Sequence, residues 1–209
     1  MDNKLNDYVL PPPAASSSGS SSNSSSSGSC CKQPKTHYEF AKFLFISSSR
    51  LKYPIETAAT SIAILHRYGN AMGDTRLLSS NYVVMISSIL FLAGKSTENF
   101  RRVKEILTVV LRVFDHPYRL DDAKAVALQA KVIELEQSIL RALAFQLDIK
   151  LPYSYLMNAA RSIGSSCGQV KLAWGLVNDI ILHKEFADEC PVSIAIVALY
   201  IASELDVKV

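Results

Sequence analysis

The residues of this chain that could do chemistry are few, and most stand in the wrong company for catalysis. Gly94-Lys95-Ser96 ends like a phosphate-binding loop. Such a loop needs a glycine five residues earlier, so that the backbone curls and aims its N–H groups at phosphate, and it follows a strand. Position 89 is Ile89, and the run leading to Lys95 has helical spacing, so a P-loop is excluded. His37, His66, His116 and His183 are scattered, without the H-E-x-x-H spacing of a metal site. His66 and His183 each close an apolar stretch and read as core-edge histidines with one satisfied nitrogen. Cys30, Cys31, Cys167 and Cys190 show no C-x-x-C spacing, so free thiols are expected rather than a zinc site or a disulfide framework. Gly164-Ser-Ser166-Cys-Gly168 has the G-x-S-x-G spacing, but a helical run and not a strand precedes it, so no nucleophile elbow is expected. The chain is not expected to be an enzyme, and neither metal nor cofactor is implied.

Two charged residues remain. Lys95 follows a long apolar run, where a cation complements the partial negative charge of a helix C-terminus. Glu136 has Ile133 three residues before it and Leu140 and Leu143 four and seven after, which sets a carboxylate in an apolar stripe. A half-buried carboxylate wants a cation or hydrogen-bond donors. Spacing alone leaves two readings open: a lysine and a glutamate each solvated at the surface, or a two-sign polar anchor that grips the end of a partner helix. Solvation is the ordinary state of both side chains.

The elements that must position them are helices. From His37 onward apolar residues recur at helical spacing almost without a break. A first helix is predicted near Tyr38 to Ser48, and a second opens at Pro54 with Ile55, Ala58, Ile62 and Leu65 on one face. A third, Tyr82 to Gly94, is capped by Ser79 or Ser80 and apolar on nearly every side, so it should be buried all round. A fourth spans about Val103 to Phe114, stopped by His116-Pro117. Asp121-Asp122 open a fifth that ends near Phe145, with Leu128, Val132, Leu135, Ile139 and Ala142 facing inward. After Leu151-Pro152 three more are expected at Tyr153 to Ile163, Val170 to Phe186 and Val192 to Leu205. Ile64-Leu-His-Arg67 recurs as Ile181-Leu-His-Lys184, and Leu90-Phe-Leu-Ala93 as Leu199-Tyr-Ile-Ala202, a faint sign of a repeated helical unit. No strand pattern is found, and the fold class is all-α.

Composition sets the rest. Residues 1–34 combine Pro11-Pro12-Pro13 with a serine tract and read as a disordered Pro/Ser-rich tail. Hydrophobic residues still make up 49% of the 209, enough for a large core with apolar surface left for a partner. The net charge is +3 with lysine and arginine dispersed, so no direct nucleic-acid contact is expected. The N-terminus has no apolar run of a signal peptide, and the longest apolar stretch, Val192 to Ala202, is too short to cross a bilayer. No membrane role is implied.

The order of these segments carries a resemblance. Ile89-Leu-Phe-Leu-Ala-Gly-Lys95-Ser-Thr-Glu98 resembles the L-A-x-K-x-E-E signature of the cyclin box. Glu136-Gln-Ser-Ile-Leu-Arg-Ala-Leu-Ala-Phe145 resembles its E-x-x-[IVL]-L-x-x-L-x-F signature, and Ala59 to Tyr68 resembles the second helix of transcription-type cyclins. Among these types the Q (or M) cyclins look nearest, with the T, K and L types further off. The resemblance implies a cyclin fold with one complete five-helix cyclin box at 35–148, kinase-binding, and a partial second box at 149–209 whose last helices expose apolar faces. It implies a regulatory, activating subunit of a cyclin-dependent serine/threonine protein kinase in transcription or cell-cycle control, held in a heterodimer. By matching positions, Lys95, Glu98, Glu136, Leu140 and Phe145 would touch the kinase. Nuclear localisation follows from the same resemblance, with cytoplasm also compatible. The alternative is a cyclin-fold adaptor that binds no kinase. Ser96 and Thr97 depart from the signature and remove one carboxylate.

Overall fold

The computed structural model describes residues 34–73, 81–114 and 122–206; the expected tail, apart from its last residue, the buried Pro34, and the His116-Pro117 stop lie outside them. Among the described residues there are eight α-helices and no strand: α1 His37–Arg50, α2 Ile55–Met72, α3 Tyr82–Ser96, α4 Val103–Val113, α5 Asp122–Ala142, α6 Pro152–Ile163, α7 Cys167–Ile180 and α8 Pro191–Asp206.

Local chemistry starts and stops these helices. Thr36 and Glu39 form a capping box at α1, and Ser166 and Gln169 form another at α7, each satisfying two orphan N–H groups. The expected cap of α3 was Ser79 or Ser80, which lie outside the described residues. Asn81 does the capping instead, its Oδ1 accepting from Val83 N at 3.1 Å and Val84 N at 3.3 Å. Asparagine is as good a cap as serine and stands one residue nearer the helix. Gly164 at φ 69° supplies the left-handed residue that stops α6.

Two helices end earlier than their periodicity suggests. α5 stops at Ala142, because Phe145 N–H turns back to the Leu140 carbonyl at 2.9 Å while Ala144 and Phe145 take φ of 48° and 60°. That is a Schellman-like stop made without glycine, a left-handed conformation costing about 1–2 kcal/mol per residue. α7 stops at Ile180, and Lys184–Phe186 form a separate 3-10 turn instead of continuing it. The Ile181 carbonyl is accepted into another bond: His66 Nε2 donates to it at 2.9 Å. A C-terminal carbonyl needs some partner, and here a side chain 115 residues away provides it.

Two apolar clusters organise the described part. The larger is built from α1 to α5 around α3, on which Val83, Met85, Ile86, Ile89, Leu90 and Leu92 are all buried. The smaller joins α6, α7 and α8 through Leu156, Val177, Ala198 and Leu199, and takes in Ala59 of α2. Burying a side chain such as Ile89 stabilises the fold by about 1.5–3 kcal/mol. Small residues let α3 approach its neighbours. The hydroxyl of Ser88 lies 2.7 Å from the Val84 carbonyl of its own helix and 3.0 Å from the Val132 carbonyl of α5, which pins α3 to α5 at one point.

Candidate functional site

That pin determines the site. Lys95 lies two turns beyond Ser88 on the same face of α3, and Glu136 lies one turn beyond Val132 on the same face of α5. The two side chains meet, with Lys95 Nζ 2.7 Å from Glu136 Oε1. Glu136 is not the solvated carboxylate that its residue type suggests, since it is only 4% exposed. Lys95 is half-buried, its side chain 43% exposed. Its ammonium also rests 4.1 Å from the centre of the Phe91 ring. The quadrupole of an aromatic face attracts a cation. An ammonium has three donors, one directed to Glu136 and the others left toward the open side. The result is a cation held by a buried carboxylate and an aromatic ring and presented to solvent.

The turn after α3 is locked as firmly. Thr97 Oγ1 donates to the Ala93 carbonyl at 2.9 Å and lies 2.8 Å from Thr57 Oγ1 of α2. Asn99 Nδ2 donates to Thr57 Oγ1 at 3.0 Å and to the Thr97 carbonyl at 2.8 Å. Gly94 makes this closure possible. A Cβ there would stand 2.7 Å from the Tyr53 hydroxyl and 2.9 Å from the Asn99 carbonyl oxygen. Burial also pushes the Tyr53 hydroxyl up to about 12, a phenol that stays protonated against α3. Thr97, which as sequence counted only as a departure from the signature, is thus the staple of the turn. Glu98 projects from it, exposed, at φ 60°.

Of the five matched positions, Lys95 and Glu136 are bonded, Glu98 stands on the turn beside Lys95, and Leu140 lies one turn after Glu136, partly buried against the core. Phe145 stands apart. It lies past the end of α5, 68% exposed, at a cavity of about 600 Å³ that Arg67 and residues 142–148 line. Sequence reading passed over the role of Phe91, which carries the ammonium, and the exposed Phe100, and it placed Ile133, which is exposed, only in the apolar stripe around Glu136. An aromatic four residues before a lysine on a helix is the signal that could have revealed Phe91.

The histidines divide. His66 is buried, with Nε2 donating to Ile181 O and Nδ1 2.8 Å from His37 Nε2, its ring stacked on that of His37. Burial pulls it down to about 4, with His37 and Lys184 acting in the same direction against the Ile181 carbonyl and Glu185. His183, expected at a core edge, is exposed and tilts against Tyr38, because α7 ends before it. Among the described residues no group of three His, Cys, Asp or Glu side chains could hold a metal, and no helix is long and apolar enough to cross a membrane.

No family model matches the chain. The solved structures it resembles give its fold. It matches a chain of the yeast RNA polymerase II CTD kinase CTDK-1 complex with a TM-score of 0.69 and 22% identity, over 81% of this chain and 54% of that one. A chain of the Chaetomium thermophilum CAK complex bound to ATP-γ-S matches with a TM-score of 0.58 and 14% identity, over 80% and 51%. The fold is the all-helical cyclin fold. Among curated proteins, Cyclin-K of Danio rerio is 28% identical over 174 residues, 80% of this chain and 39% of that protein. Cyclin-K of Homo sapiens is 29% identical over 174 residues, 80% and 29%, and Cyclin-T1-2 of Oryza sativa is 26% identical over 175 residues, 79% and 27%. The chain is homologous to cyclins of the K, T and L types, and it spans about two fifths or less of the length of these relatives.

Proposed function

We propose that this chain is the regulatory subunit of a cyclin-dependent serine/threonine kinase, acting in transcription or cell-cycle control from the nucleus, and that it is of the cyclin Q type. The observation that carries the reading is the Lys95 ammonium, fixed by buried Glu136 and Phe91 and open on its outer side. Exposed Phe100 and Ile133 add apolar area, and Leu140 lies one turn beyond Glu136. A helix end inserted there would offer carbonyl groups to the ammonium and apolar side chains to the aromatic rim. The chain does no chemistry in this reading. It favours one position of the kinase helix, and the kinase supplies nucleotide, magnesium and catalysis.

Because the ion pair is already formed within the chain, removing half of it costs stability as well as binding. Lys95→Ala leaves a buried carboxylate alone, at about 1–3 kcal/mol after allowance for the half-exposed lysine. Lys95→Ala/Glu136→Gln removes that orphan charge and should recover most of the lost stability. Both variants are expected to lower recovery of a co-expressed cyclin-dependent kinase by at least about tenfold, measured below the melting range, with Glu134→Ala unchanged. If the double variant regains kinase along with stability, the ammonium is no contact. If the unaltered chain recovers no kinase, the adaptor reading takes its place.

A further inference from the structure

Three of the chain's four histidines gather where α1 begins. His37 and Tyr38 open that helix, and each ring lies on one histidine of the repeated Ile-Leu-His motif. His37 stacks on His66 of α2 with 5.0 Å between ring centres, and Tyr38 tilts against His183 at 4.9 Å. Two residues before His183 stands Ile181, which packs against both apolar clusters. The first turn of α1 thus clips α2 to the segment that follows α7.

Hydrogen bonds fix the protons in this clip. A carbonyl only accepts, so His66 Nε2 carries the hydrogen that reaches Ile181 O at 2.9 Å, and a neutral ring leaves Nδ1 to accept from His37 Nε2 at 2.8 Å. Both bonds exist together only while His66 is neutral. A proton on Nδ1 would set two N–H groups against each other, in a site where His66 is buried. The neighbouring charges do little to compensate it. On the 3-10 turn Lys184 and Glu185 act in opposite directions. Arg67, Asp148, Lys150, Asp188 and Glu189 line a cavity of about 370 Å³ beside His66, and all but Arg67 are exposed, where water and salt screen them. Arg67 is engaged with the Gln146 carbonyl, and Glu39 of α1 is turned into its capping box.

We infer that the junction of His37, His66 and His183 is an acid-released clip: neutral, it holds the first turn of α1 and residues 181–189 against α2, and on protonation it lets both go while the core around α3 stays closed. A charged imidazole gains by moving into water, and that movement frees the Ile181 carbonyl together with His37. Clusters of histidine release contacts in this way on acidification. The release is local, because α1 beyond its first turn is held by Ala41 and Leu44 in the larger cluster, and α3 adds no titratable group to the junction. Within 181–189 only Ile181 and Leu182 pack against a cluster, and the 3-10 turn buries nothing. Segments with so little buried surface open at the low end of a protein's stability range. None of the five kinase-matched positions takes part, so the inference stands or falls independently of kinase binding.

The test is hydrogen exchange of the full chain at pH 7 and pH 5, each rate taken relative to the intrinsic rate at that pH. It is read at the amides of Phe40, Leu182, His183 and Ala187, all hydrogen-bonded in the closed form. Opening that carries a ring from about 4 to an ordinary value near 6.5 is favoured roughly 20-fold by this change of pH. The expected result is a loss of protection of at least about tenfold at the four amides. Those of Ile86 to Leu90 in α3 should stay at least about tenfold better protected and, unlike the four, should exchange faster in about 1 M urea, since only global opening exposes them. His66→Gln offers the donor and acceptor of the neutral ring without titrating, and in it the pH effect at the four amides should disappear. Equal protection at pH 7 and pH 5 would overturn the inference. So would four amides that follow α3 in both protection and urea response, or a pH effect that His66→Gln retains. The first two comparisons use the unaltered chain and do not depend on how the variant folds.

Discussion

α3 and α8 are written in nearly the same alphabet, and each shows an apolar face in every direction: Val83 to Ala93 in one, Val192 to Ala202 in the other. Their surroundings differ. α3 is enclosed by α1, α2, α4 and α5, and from Val83 to Gly94 only Phe91 is not fully buried. α8 is supported by α6 and α7, and its other half faces outward. Two supporting helices cover about one stripe of a third, whereas four close the full circle. An apolar helix therefore announces that it will be covered, without announcing by what. In α3 the cover is the chain's own, and the one place it opens, around Phe91 and Lys95, is where charge and aromatic surface come together.

The comparison is broken most directly by truncating matched positions. Ile89→Ala in α3 should cost about 2–5 kcal/mol in a denaturant melt, because it leaves a cavity walled by four helices. Tyr200→Ala in α8 should change the melt of the monomer by less than about 0.5 kcal/mol. Comparable losses at the two sites would mean that α8 is covered within the chain after all.

A smaller effect is expected where α3 ends. Gly94→Ala forces a methyl against the Tyr53 hydroxyl and the Asn99 carbonyl, at about 1–3 kcal/mol. Tyr53→Phe removes one of the two obstacles, so in its background Gly94→Ala should cost less. Additive losses in the double-variant cycle would show that the backbone of the turn, rather than the tyrosine, yields.

The smallest effect lies between the two clusters and is read with pH. His66 sits at about 4 in the folded chain and near 6.5 when unfolded, so the unfolded chain binds the additional proton between those values. Stability present above pH 6.5 is thus lost as pH falls toward 4. Between pH 7 and pH 5 the loss should be about 1–2 kcal/mol, and it should largely vanish in His66→Gln. His37, Lys184 and Glu185 act on the same ring, so the His66→Gln difference is the quantity to follow. A pH slope identical in the two chains would show that proton uptake on unfolding lies elsewhere.

Much of this was legible in the residues. The 3.6-residue spacing gave the eight helices in order, and the buried character of α3 followed from its having no polar face. Helix ends were less legible. α7 ends at Ile180 with the carbonyl of its cap residue Ile181 bonded to His66, and no local residue marks that; α5 ends before Ala144 and Phe145, which take a left-handed turn without the glycine that usually accepts it. The echo of Ile64-Leu-His-Arg67 in Ile181-Leu-His-Lys184 misled for the same reason, since the first lies inside α2 with a buried histidine and the second lies past the end of α7 with an exposed one.

Sequence by itself determined what depends on neighbours within a turn or two: the helices, most of their starts, and a lysine at one helix end with a glutamate in the stripe of another. Tertiary structure alone decided that these two charges form one group. Glu136 stands 41 residues from Lys95, and its burial is set by how closely α3 and α5 approach at Ser88 and Val132. Whether a carboxylate is solvated or buried is a property of the space around it, and that space is made by residues distant in the chain. The same holds for α8, whose composition fixed an apolar helix and whose packing decided which half of it remains open.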